Sequence, residues 1–169
     1  MSKKPWTIDI RFFKNYFLEA KGTQMAYKAL QIAQLLLSKA AEGNQELMSN
    51  LKLQKMLYYE QGFHLAAFDT PLFDENIEAW MFGPVVPEVY EKYAKYDAKG
   101  IEPPSQIDIK LNEEETTLFN NVFDVYNQYS AVKLVEMTHS EPPWNSVPPG
   151  KGNIISQESM KKFFLTRLA

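Results

Sequence analysis

Apolar residues recur along this chain at steps of three and four, the spacing of one face of an α-helix, in one stretch after another. From about Ala26 to Ala41, Ala29, Ile32, Ala33, Leu36, Leu37 and Ala40 share a face, and Glu42-Gly43-Asn44 breaks the run. From about Asn50 to Phe68, Leu53, Met56 and Leu57 are followed at helical spacing by Glu60, Gln61 and His64. Pro87 is placed to open a helix over Glu88–Tyr96, since the first helical position needs no N–H. Over Glu113–Tyr129, Leu118, Val122, Val125 and Tyr129 form the stripe, and Glu113, Glu114 and Glu115 suit the positive first turn. Ser130 can cap a short helix ending near Met137, and Ser156 a last one carrying Met160, Phe163, Phe164 and Leu168. Only Phe73–Met81 reads as extended, with Ile77, Ala79 and Met81 alternating against Glu78 and Trp80. The expected fold is mainly α: a compact single domain of six or seven helices with at most a small β element near residues 73–82.

Two connections carry rigid chemistry. Phe82-Gly83-Pro84 is expected to turn the chain, because Gly83 permits backbone angles that a side chain forbids and Pro84 and Pro87 fix φ on either side. Thr138–Pro149, THSEPPWNSVPP, reads as a proline-bounded loop that carries Trp144. Trp80 and Trp144 either fill the core, as large aromatics usually do, or line a groove for a partner. Ala98–Lys110 is a proline-containing connection with little periodicity.

The first 24 residues differ from the rest. Lys3, Lys4, Arg11, Lys14 and Lys21 against Asp9 and Glu19 make this segment +3, so the remaining 145 residues of a chain with net charge −3 sum to −6. Thr7 can cap an amphipathic helix that stops at Gly22. Ile10, Phe13 and Phe17 fall on one side of it, Phe12 and Tyr16 widen the stripe, and Trp6 extends its apolar end. The expected organisation is therefore an aromatic helix over residues 1–24 and a domain over 25–169. The helix is either a partner-binding extension, read through Trp6, Ile10, Phe13, Tyr16 and Phe17, or an extra helix docked on its own domain.

Several classes of function are poorly served by this sequence. Zero cysteines remove disulfide scaffolds, thiol nucleophiles and Cys-ligated metals. The net charge of −3 and the lack of a basic recognition helix argue against DNA. No apolar run approaches the ~18 residues of a membrane span, and charges interrupt any signal-peptide core near the start. A cytoplasmic protein without membrane association is expected. The seven glycines are scattered and make no phosphate-binding loop. His64 and His139 are the only histidines; with Glu60 and Glu141 they could in principle support a metal-dependent hydrolase. Neither lies in a metal motif such as HExxH, so no catalytic residue, metal ligand or cofactor is assigned.

The run LQKMLYYEQGFHLAAFDTPLFDENIEAWMFGPVVPEVYEKY, residues 53–93, resembles the core signature of the Panacea domain, also called the SocA-like or phage-associated antitoxin domain. LVEMTHSEPPWNSV, residues 134–147, and ISQESMKKFF, residues 155–164, resemble the same family in the same order. The matching positions include Gln61, His64, Trp80, Gly83, Pro84, Pro87, His139, Glu141 and Trp144. One departure is Glu60, where the family commonly has a small residue. The resemblance implies an antitoxin, of a kind often found in prophages, that neutralises a protein toxin encoded by an adjacent gene through direct binding. Delivery of the toxin to a protease is an alternative within the same family. It implies no enzyme activity, and it leaves the toxin and any homo-oligomer open.

Overall fold

The computed structural model describes residues 4–9, 11, 25–44 and 46–169. Among these residues seven α-helices dominate: α1 (Ala29–Ala40), α2 (Asn50–Phe68), α3 (Pro87–Tyr93), α4 (Glu113–Tyr126), α5 (Ala131–His139), α6 (Pro142–Asn145) and α7 (Gln157–Leu165). Three short strands, β1 (Ile77–Trp80), β2 (Gly83–Val85) and β3 (Ile154–Ile155), form an antiparallel sheet in the order β2-β1-β3. The mainly α reading with one small β element is the observed architecture.

The centre of the molecule is α2. Its residues are buried on every side, so it has no amphipathic face. It packs against α1, α4, α5, α7, β2 and α3. Such a helix has to be small where a neighbour crosses closely. A Cβ built at Gly62 would lie 2.0 Å from the ring of the fully buried Phe164 on α7, so only glycine admits that crossing. Phe164 in turn sits edge-on to Tyr58 and Tyr59 and tilted against Phe63, while Tyr59 stacks on Tyr126 of α4 at 3.8 Å between ring centres.

Local signals set most helix ends. The side chains of Ser49, Asn112, Ser130 and Ser156 each accept a backbone N–H of the first turn, and Asn112 exchanges bonds with Glu115 in a full capping box. Some boundaries differ from the sequence reading. Helix α1 begins at Ala29 rather than Ala26 because Tyr27 pairs as a bridge with Phe73, its N–H donating to Leu72 O at 2.9 Å. The extended stretch is strand only from Ile77, and its turn lies at Met81-Phe82. Gly83 and Pro84 already belong to β2, where the missing N–H of Pro84 is tolerated on an edge strand. The proline-rich loop is more helical than expected: α5 continues to His139, and Pro142 and Pro143 open the four-residue α6.

The described part of the N-terminal segment lies along the C-terminus. Ile8 is 2% exposed and bridges Leu168, its N–H donating to Arg167 O at 2.9 Å and its carbonyl accepting from Ala169 N–H at 2.8 Å. The expected aromatic helix falls mostly on residues outside those described.

Candidate interaction surface

A helix buried on all sides that carries Asn50, Gln54, Lys55, Glu60, Gln61 and His64 must satisfy each polar group inside the protein, or bear the cost of leaving it bare. Most of them clamp backbone. Gln61 accepts from Leu72 N–H at 2.7 Å and donates to Phe73 O at 2.7 Å, holding the chain that enters the sheet. Gln54 accepts Val86 N–H at 2.9 Å and donates to Asn50, which donates to Tyr90 O, so one relay fixes the start of α3. His64 donates from Nδ1 to Thr70 O at 2.6 Å, and its Nε2 faces Glu115 Oε1 at 3.2 Å. Burial alone would raise the Glu115 carboxyl, but bonds from His64, Tyr27 and the Asn112 backbone outweigh it and hold the group below its usual range.

The same economy organises the β1–β2 hairpin. Three of its carbonyls are held by side chains from three different helices. Trp144 Nε1–H donates to Trp80 O at 2.9 Å, His139 Nε2–H to Met81 O at 3.0 Å, and Lys55 Nζ to Pro84 O at 3.0 Å. The His139 and Trp144 rings stack at 4.1 Å, bracing each other. Lys55 is fully buried, and burial pushes its ammonium down to about 7. Gly83 is obligatory twice over. Its φ is +98°, and a Cβ there would stand 2.7 Å from the Lys55 stem and 2.8 Å from Thr138 Oγ1. Trp80 donates its own N–H to Glu78 at 2.7 Å, lies edge-on to Tyr90 and is covered by Lys151. The outcome is a fixed turn whose Met81 and Phe82 side chains are 69% and 66% exposed. Alternation along an uninterrupted strand would place Met81 inward with Ile77 and Ala79; the strand ends one residue earlier, and the turn carries Met81 out.

A second buried network stands at the other end of the signature. Glu141, 2% exposed, accepts from Tyr58 and Tyr59 hydroxyls at 3.0 Å each and lies 3.8 Å from Arg167 Nη2. Burial raises its carboxyl to about 7, against the pull of Arg167 and the two hydroxyls. Arg167 also lies over the rings of Trp6 and Phe163, and the Trp6 carbonyl accepts from Tyr126 at 3.3 Å. Glu60 is different. Its Oε1 is buried without a hydrogen-bond partner among the described residues, and burial raises its carboxyl well above the usual range, only partly opposed by Lys39.

The nine signature positions thus share no single cluster. Gln61 and His64 pin the chain after α2; Trp80, Gly83, Pro84, His139 and Trp144 build the hairpin; Pro87 starts α3; Glu141 joins the tyrosine network. Trp80 and Trp144 are both half-buried, each with its indole N–H bonded. Of the N-terminal contact candidates, Trp6 packs half-buried against Arg167, while Ile10, Phe13, Tyr16 and Phe17 lie outside the described residues. His64 and His139 are engaged with different backbone segments, and among the described residues no group of three or more His, Cys, Asp or Glu could hold a metal ion. Sequence reading missed Gln54, Lys55, Tyr58, Tyr59 and Arg167. The available signal was polar residues on every face of α2, which marks a helix buried all round and dependent on internal partners.

The arrangement is an α-helical domain whose buried polar residues mostly hold backbone and which carries a braced, exposed apolar turn. The family model described as "Antitoxin SocA-like, Panacea domain" matches residues 53–145, from the first turn of α2 to the end of α6. Antitoxin SocA of Caulobacter vibrioides (strain NA1000 / CB15N) is 34% identical over 142 residues, covering 73% of this chain and 72% of that protein. The chain belongs to the SocA-like antitoxin family and carries its Panacea domain. No solved structure matches significantly. Among the described residues no helix is long and apolar enough to cross a membrane.

Proposed function

We propose that this protein is a non-enzymatic antitoxin that neutralises a cognate protein toxin in the cytoplasm by direct, stoichiometric binding, the toxin being the product of an adjacent gene. The observation that carries the reading is the family match together with 34% identity to a named antitoxin across nearly three-quarters of both chains. The site geometry agrees with it: buried Gln54, Gln61, His64 and Glu141 bond to the protein itself, as structural groups do, and apolar side chains face outward. The aromatic side of the N-terminal segment, with Phe13 and Phe17 as anchors, joins the domain in the contact. A stable complex buries roughly 1,200–2,000 Å², more than one short segment supplies.

Co-expression tests the reading. The neighbouring open reading frame is induced alone, with the full chain, and with the full chain carrying Phe13→Ser/Phe17→Ser, because deletion of the whole segment would also remove the core residue Ile8. Growth arrest by the neighbour that the full chain relieves supports an antitoxin, and relief lost in the double variant at unchanged melting temperature supports the N-terminal contact. A neighbour that is harmless, or toxic and unrelieved, removes the proposal.

A further inference from the structure

We propose that the Met81-Phe82 turn is the domain's anchor for the toxin, and that His139 and Trp144 are positioning residues which hold that anchor in place. This rests on the antitoxin reading and names the surface it uses. Met81 and Phe82 are the only consecutive pair among the large exposed apolar residues described; Met25, Val132, Ile154 and Leu165 are dispersed. Two adjacent apolar side chains on a turn would normally be replaced by polar residues or folded inward. Here the backbone forbids the second course. The carbonyls of Trp80 and Met81 are taken by Trp144 and His139, and Pro84 O by Lys55. The left-handed angle at Gly83 fixes the direction in which the chain leaves the turn. Within the matched stretch 53–145, His139 and Trp144 hold this turn through its carbonyls, Gly83 sets its exit, and Trp80 and Pro84 supply two of the carbonyls that are held.

None of these contacts buries the tip itself, so their effect is to prepare a rigid, protruding, apolar knob. Preorganisation of that kind lowers the ordering cost of binding. It suits a protein partner that offers an apolar cleft deep enough for a phenyl ring. The two side chains expose on the order of 250 Å², about a third of the ~800 Å² one partner contributes to a standard interface. The tip is therefore an anchor inside a larger contact, the pattern in which a few buried aromatics dominate affinity.

The test uses the full chain, with the purified product of the neighbouring open reading frame as probe. Met81→Ser/Phe82→Ser is compared with Val132→Ser/Leu165→Ser, exposed apolar residues on α5 and α7 outside the sheet. The proposal expects the tip variant to keep its melting temperature and to bind at least about tenfold more weakly, with the control pair unchanged. His139→Leu should weaken binding and speed amide exchange in the hairpin without lowering global stability, and His139→Gln, which retains a donor, should restore both. Equal weakening by tip and control, or no weakening by the tip, overturns the proposal. So does a tip variant that alters only self-association, which would assign the turn to a second copy of this chain. Absence of binding by the wild type overturns the antitoxin reading itself, a result distinct from normal wild-type binding with an indifferent tip.

Discussion

Replacing Glu60 by methionine should make this protein more stable, and more so as pH rises. Glu60 sits in the middle of α2, fully buried, with Oε1 bonded to nothing among the described residues. A bare buried polar atom costs roughly 1–3 kcal/mol, and methionine fills a similar volume without it. The expected gain near neutral pH is about 1–2 kcal/mol, which for a chain of this size is roughly 2–8 °C in melting temperature. The pH dependence follows from the raised carboxyl. The folded protein keeps the Glu60 proton over a range where the unfolded chain, titrating near the ordinary carboxyl value of 4.5, has released it. Folded wild type then binds more protons than unfolded, so its stability falls as pH rises above that value, by up to about 1.4 kcal/mol per unit. Glu60→Met removes that decline. Urea and thermal melts of both proteins at pH 5, 6.5 and 8 should show a difference that widens with pH. A difference that stays constant from pH 5 to pH 8, or a variant less stable than wild type at pH 8, would refute the reasoning.

Three further outcomes follow from the same core. Gly62→Ala sets a helix-propensity gain of about 1 kcal/mol against a Cβ placed 2.0 Å from the immobile Phe164 ring. The clash should win by about 2 kcal/mol, and a raised melting temperature would show that α7 yields. Lys55, held near 7 by burial, is neutral in the fold while the unfolded chain is still protonated up to about 10.5. Stability should therefore rise from about pH 7 toward 10, and Lys55→Met should abolish that rise in denaturant titrations. Glu141 works in the opposite window. Its carboxyl is raised from 4.5 to about 7, so stability falls between those values. Glu141→Gln keeps an acceptor for one of the two tyrosine hydroxyls and offers its N–H to the oxygen of the other, and should gain on wild type by up to roughly 3 kcal/mol between pH 5 and pH 7; a constant difference would mean that Glu141 titrates normally.

Much of the scaffold was legible because it obeys local rules. The span of α2, Asn50–Phe68, follows from apolar spacing, and the starts of α3, α4, α5 and α7 follow from Pro87, the acidic run Glu113–Glu115, Ser130 and Ser156; the caps at Ser49 and Asn112 emerged only in the fold. What escaped was decided by partners distant in the chain. Tyr27 leaves the first helix for Phe73, forty-six residues on. Met81 points outward because His139, fifty-eight residues away, takes its carbonyl as the strand ends. The roles of Lys55 and Gln54 depend on Pro84 and Val86, which nothing in the spacing of α2 foretells. Resemblance placed Gln61, His64, Trp80, Gly83, His139 and Trp144 together as a signature, but only the fold divides them between a clamp after α2 and a braced hairpin.

The central claim is neutralisation by stoichiometric binding, and a titration tests it most directly. Increasing amounts of the purified full chain are added to a fixed amount of the neighbouring gene product, and its remaining toxic activity and complex formation are followed together. Activity should fall linearly to an end point at a fixed molar ratio, coincident with saturation of the complex and independent of incubation time. Silencing by substoichiometric protein that deepens with time would contradict it and point to a catalytic role.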